Sequence, residues 1–152
     1  QQGEGRPIRL DCYGGISQDY KEELKGKYDF IHFHGFVAQH EVGAIQRGAD
    51  MLFLVGPNVA KSTGHIPGKL FEYLGSMSPI AFLGHSTDDV SRILDETGGG
   101  LCLPRGDREA IVQGLLNVMN TARDVTATRL EKLQPFIRKN QARRVLEILE
   151  KN

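Results

Sequence analysis

The sequence predicts an α/β protein, a parallel sheet with helices on both faces. Three observations carry this. Strand-like and helix-like segments alternate along most of the chain, and strands joined by helical crossovers run parallel. The run Met51-Leu52-Phe53-Leu54-Val55 is apolar without a break, which suits a strand covered on both faces. Glycine and proline stand at the segment ends, as at Gly14-Gly15, Gly35 and Gly56-Pro57-Asn58.

Each element has a local reason. Residues 8–13 place Ile8, Leu10 and Cys12 at every second position, the period of a strand. Residues 17–25 read as a helix, with Asp19 and Glu22 at capping-box spacing. A short strand is expected at 30–34, a short helix at 41–47 and the apolar strand at 51–55. A loop of about ten residues, 56–66, then leads to a helix at 67–76. Pro79 introduces a strand at 80–83, followed by a helix at 87–96 and a strand at 100–103. Residues 107–119 form the clearest helix: Asp107 can cap it, and Ile111, Val112, Leu115, Leu116 and Met119 make a stripe at helical spacing. The tail, 126–151, is helical and broken by Pro135, with Ala142, Val145, Leu146 and Leu149 as the inner face of its last piece.

With 152 residues the chain is one domain, or one lobe of something larger. Lys+Arg and Asp+Glu balance at 19 each, so no global field attracts nucleic acid. A basic cluster, Arg138, Lys139, Arg143 and Arg144, is local. Cys12 and Cys102 sit in strand-like segments and read as small buried hydrophobes in a reducing compartment. No run reaches the ~18–20 apolar residues of a membrane span, and no signal peptide is visible.

In such a sheet, ligands bind outside the carboxyl ends of the strands, and the longest loop lies there, after residue 55. It leads into G-H-I-P-G-K-L-F-E-Y-L-G-S-M-S-P-I, residues 64–80. Pro67 suits a first helical turn, and Gly64 and Gly68 allow close backbone approach. The free N–H groups and the dipole at this helix start favour a phosphate. Leu70, Phe71 and Leu74 share the side that should face the sheet, while Lys69, Glu72 and Ser76 share the other. Glu72 lies roughly 6–7 Å along the axis from the helix start, which suits a nucleotide's phosphate and its ribose hydroxyls. A simpler reading stays open at this point: Lys69 and Glu72, three apart, can form a surface ion pair.

These residues resemble the P-x-K-x-x-E-Y-x-x-x-G-x-P-I signature in the nucleotide-binding lobe of GT-B glycosyltransferases of the "group 1", family-four type. Three flanking stretches are similar to family elements: I-H-F-H-G-F-V-A-Q-H-E at 31–41, A-D-M-L-F-L-V at 49–55 and G-G-G-L-C-L-P-R-G-D-R-E-A-I at 98–111. The resemblance implies a Rossmann-like fold, the C-terminal half of a GT-B enzyme lacking its first strand–helix unit and its N-terminal acceptor-binding lobe. The whole chain would be one donor-binding domain, its tail from residue 126 crossing back to that lobe. It implies Glu72 on the ribose; the backbone of Gly64, His65, Ile66 and Gly68 on the diphosphate; Lys69 and Lys61 as cations; and Phe36 and Val37 in the turn bordering the base.

The implied activity is transfer of a sugar from a UDP- or GDP-type donor to an acceptor hydroxyl, retaining and metal-independent, in bacterial surface polysaccharide or glycoconjugate synthesis. No catalytic side chain, metal or further cofactor is expected, and this piece alone is expected to be inactive. The implied setting is cytoplasmic, with peripheral association at the inner face of the membrane open. The chain departs from the family at Gly64, eight positions before Glu72, where the first glutamate of the family's pair would stand. Lys61, Ser62, Thr63 and His65 are candidate substitutes for its sugar contact.

Two further classes compete. One is a receiver-like or flavodoxin-like binding module, against which Asp11 lacks an acidic cluster and Gly14-Gly15-Ile16-Ser17 is poor in hydroxyls. The other is a GT-B epimerase, which a nucleotide lobe does not distinguish. Elsewhere, His32 and His34 share a strand face, but two imidazoles make a poor metal site. Residues 86–89, Ser-Thr-Asp-Asp, read as a helix cap. Arg105 and Asp107 follow a strand's carboxyl end, at the rim of the expected site.

Overall fold

The computed structural model describes residues 7–58, 64–120 and 123–150. The chain forms two compact units, one ending at Val42 and the other beginning at Gly43. In the first, β1 (Leu10–Tyr13) pairs in parallel with β2 (Ile31–Gly35), and α1 (Gln18–Lys25) lies between them in sequence. Ser17 holds the N-cap position of α1 with no side-chain capping bond. The capping box expected from Asp19 and Glu22 is therefore replaced: Glu22 accepts from Gln18 Nε2 at 2.9 Å. The inward alternation expected of residues 8, 10 and 12 is only partly realised, because Ile8 and Leu10 are exposed and Cys12 alone is half-buried.

Helix α2 (Gln39–Gly48) spans the boundary between the units. The second unit holds β3 (Leu52–Val55), α3 (Gly68–Ser76), β4 (Ile80–Gly84), α4 (Asp89–Thr97), β5 (Gly100–Pro104) and α5 (Arg108–Asn120). After α5 come α6 (Ala127–Leu133), a 3-10 turn (Gln134–Phe136) and α7 (Arg138–Leu149). Pro135 sits in the 3-10 turn and breaks the tail as expected. The strands form a parallel ladder in the order β3-β4-β5.

Two apolar cores lie on the two faces of this ladder. Leu52, Leu54, Ile80 and Phe82 join residues of α3, α4 and α6 in one. Ala81, Leu83 and Leu103 meet Ile111, Leu115 and Val118 of α5 in the other. Parallel strands flanked by helices make the unit Rossmann-like, as the segment order predicts. The strand buried on both faces is β4, however, and not β3. Phe53 and Val55 of β3 remain 39% and 54% exposed, because β3 is an edge strand of its ladder and α5 packs over β4 and β5.

Two helix faces differ from the sequence pattern. On α5 the face against the sheet runs through Ile111, Gly114, Leu115 and Val118, while Val112, Leu116 and Met119 stay exposed. Gly114 is the reason: a Cβ there would lie 2.4 Å from Leu103 Cδ2, so the bare backbone is what lets the helix settle onto β5. On α7 no residue is buried, and Val145, Leu146 and Leu149 point to solvent rather than forming an inner face.

Candidate functional site

Helix α3 is built as the sequence predicts on its inner side. Leu70 and Leu74 are buried, and Phe71 is half-buried with its ring 6.2 Å from that of Phe136. Pro67 occupies the N-cap position in an extended conformation, one place before the first turn, and accepts the Leu70 N–H through its carbonyl. Pro67 itself makes no side-chain capping bond. The first N–H groups of the helix, those of Gly68 and Lys69, have no intrahelical acceptor.

Glu72 and Lys69 are exposed, as expected. Ser76 is not: the chain reverses at Met77 in a left-handed conformation (φ 62°) and covers the last turn. Its hydroxyl donates to the Tyr73 carbonyl at 2.7 Å and accepts the Ser78 N–H at 3.2 Å, so it belongs to the turn and not to the outer face.

Glu72 lies on a groove of about 550 Å³, lined by Gly68, Phe71, Glu72, Phe136, Arg138 and Gln141. That volume is within the usual range of small-molecule sites. The groove joins the outer side of α3 to the start of α7. Sequence reasoning missed the second wall. Its one signal was Pro135, which turns the tail so that Phe136 and Arg138 approach a helix more than sixty positions earlier.

The remaining predicted residues fall in different places. Gly64 is in a turn (φ +84°), and its N–H donates to Asp89 Oδ2 at 2.7 Å, so this amide is already engaged. His65 is exposed, and Ile66 is half-buried against the core. Gly68 alone of the backbone set lines the groove, and Lys69 is not among its lining residues. Lys61, Ser62 and Thr63 lie outside the described residues. Phe36, 86% exposed, and half-buried Val37 follow β2 in the first unit.

The ionisable groups nearby explain the local order. Asp89 is held below the usual carboxylate range, first by the Gly64 N–H and then by the Arg92 guanidinium. Asp88 holds the N-cap position of α4, within the residues 86–89 read as a cap, but its buried carboxylate accepts the His85 N–H at 2.9 Å ahead of the helix instead of making a side-chain capping bond. Asp107 Oδ1 accepts the Ala110 N–H at 2.9 Å, a cap for α5. Arg105 Nη2 donates to the Gly56 carbonyl and ties the carboxyl end of β5 to that of β3.

Elsewhere, His34 Nε2 lies 2.5 Å from Asp11 Oδ1, and its ring stacks on Tyr13. Partial burial pushes both cysteine thiols above their usual pKa. Among the described residues no helix is long and apolar enough to cross a membrane.

No family model and no curated protein matches the sequence. A solved structure does: a chain in the crystal structure of the GtfA/B complex, with a TM-score of 0.66 and 16% identity. The match covers 94% of this chain and 29% of that one, so this chain spans under a third of the length of the protein it is similar to. At that identity the likeness concerns fold alone, the Rossmann-like arrangement of parallel strands and flanking helices described above.

Proposed function

We propose that the chain is the donor-binding part of a glycosyltransferase, moving a sugar from a nucleoside diphosphate to an acceptor hydroxyl. One observation carries this: the Glu72 carboxylate and the uncapped start of α3 open on the same groove. Glu72 is the fifth residue of the helix, so it stands roughly 6 Å along the axis from Gly68. A carboxylate accepts two hydrogen bonds, as a ribose's vicinal hydroxyls require. The helix start favours the phosphates. The glycosyltransferase-like fold and the signature at residues 67–80 support the same reading.

In the reaction the glycosidic bond breaks and negative charge grows on the departing diphosphate. N–H groups already aimed at that charge lower the barrier without reorganising. We assign this part to the N–H groups of Gly68 and Lys69, with Lys69 and Lys61 as candidate cations. Retention of configuration, independence of metal, and an acceptor on a separate N-terminal lobe belong to this proposal. So do a cytoplasmic setting and a role in surface glycoconjugate synthesis.

The test is titration with UDP-, GDP- and ADP-sugars, wild type against Glu72→Ala. A hydrogen bond to a charged group contributes about 1.5–3 kcal/mol, so the variant should bind roughly ten- to a hundredfold more weakly. Equal binding by the variant removes the ribose assignment. Failure of every sugar nucleotide to bind the folded wild-type chain removes the donor reading.

A further inference from the structure

We infer that the C-terminal segment forms the second half of the nucleotide site, with Arg138 as the cation for the diphosphate and Gln141 and Phe136 beside the base and ribose. This rests on the donor reading above and assigns to the tail a role that the sequence placed on Lys69 and Lys61.

The groove has two walls of complementary chemistry. The α3 wall offers Gly68, Phe71 and the Glu72 carboxylate; the tail wall offers Phe136, the Arg138 guanidinium and the Gln141 amide. Glu72 and Arg138 carry opposite charge and line one space, yet they form no ion pair with each other. Both are exposed, so their polar heads are available to a ligand. A guanidinium presents a planar fork that fits phosphate oxygens. An amide can both donate to and accept from a base edge or a sugar hydroxyl. The two phenyl rings, tilted by 32° to one another, give an apolar lining on which a base can rest.

The backbone points the same way. Arg138 is the first residue of α7, a helix of 12 residues whose N-cap, Ile137, makes no side-chain capping bond. Two uncapped helix starts, those of α3 at Gly68 and α7 at Arg138, therefore contribute to one groove. Each places partial positive charge there. With Arg138, they make the groove suited to an anion that also carries hydroxyls, and a nucleoside diphosphate has both. An acidic peptide would use the positive features and leave Glu72 opposed.

The experiment is calorimetric titration of the wild-type chain, Arg138→Gln, Arg138→Lys and Glu72→Gln with UDP, UMP and uridine, and with the guanine and adenine series. Thermal melts check that each variant is folded. Arg138→Gln should weaken the diphosphate about tenfold, the monophosphate less and the nucleoside not at all. Arg138→Lys should recover part of the loss. Normal diphosphate binding by Arg138→Gln, with Glu72→Gln impaired, overturns this inference and leaves the donor reading standing. An equal loss for all three ligands also overturns it, because Arg138 would then act on the fold and not on phosphate. If no member of any series binds wild type, the donor reading fails and the inference with it.

Discussion

The Gly64 amide donates to the Asp89 carboxylate at 2.7 Å, joining the turn ahead of α3 to the first turn of α4. Arg92 braces the same carboxylate at 3.1 Å and reaches Glu96 at 2.9 Å. The position where the family signature has a glutamate is thus a backbone anchor in this chain.

That anchor has a definite pH dependence. The Gly64 N–H and Arg92 depress the folded-state pKa of Asp89 below the ~3.9 of an unfolded chain. A depressed carboxylate contributes stability that is present above about pH 4 and lost as pH falls through the lowered value. Asp89→Ala should therefore lower the melting temperature by a constant amount between pH 7 and 5, with the gap closing below about pH 4. A gap unchanged down to pH 2 would contradict the assignment. Amide exchange at Gly64 should quicken in the same variant.

The glycines at the sheet give a graded test. Gly114→Ala brings a Cβ to 2.4 Å from the terminal Cδ2 of Leu103, and overpacking of this kind costs about 1–3 kcal/mol. At Gly100 a Cβ would stand 1.9 Å from the Ile80 carbonyl oxygen, which is backbone of the neighbouring strand and unable to rotate away. Gly100→Ala should cost more than Gly114→Ala in denaturant melts. The reverse order would mean that β5 does not sit in this register against β4.

Arg129 is buried, with Nη1 donating to the Met77 carbonyl at 3.1 Å and the Asp124 carbonyl at 2.9 Å. Its Nε and Nη2 find no partner among the described residues. Burial pulls its pKa down, and Asp124 opposes this. A buried charge so incompletely paired is a weak source of stability. Arg129→Met, which keeps the volume, should lie within about 1 kcal/mol of wild type, while Arg129→Ala should lose about 2–4 kcal/mol. A large loss for both would show that the guanidinium's bond to the Met77 carbonyl, just past α3, holds the tail in place.

The apolar residues of α7 should matter little to this chain's stability. Leu146→Ser and Leu149→Ser act at side chains 58% and 66% exposed, where substitutions usually stay within about 0.5 kcal/mol. Leu133→Ala, in the core at the end of α6, should cost about 2–5 kcal/mol. Equal losses at the two places would show α7 packed where the structure leaves it open.

Features legible in the sequence were those whose cause is local. Asp107 caps α5 because its carboxylate reaches an N–H three residues on. Leu70 and Leu74 are buried together because a helix puts positions four apart on one face. Asp19 and Glu22 show the limit: the spacing was right, yet Ser17 took the cap position and Gln18 took the glutamate. Local patterns were also silent on Gly114, since a residue without a side chain gives no periodic signal although it sets which face of α5 meets the sheet.

The sequence by itself determined the alternation of strands and helices, the break at Pro135 and the exposure of Glu72 on α3. Propensity, periodicity and turn chemistry act over a few residues, so one stretch contains its own answer. Only the tertiary structure decided that β4 and not β3 would be buried on both faces, that Ser76 would be covered, and that Phe136 and Arg138 would stand across the groove from Glu72. Those outcomes depend on which distant segment supplies the opposing surface, and no window of the sequence holds both partners.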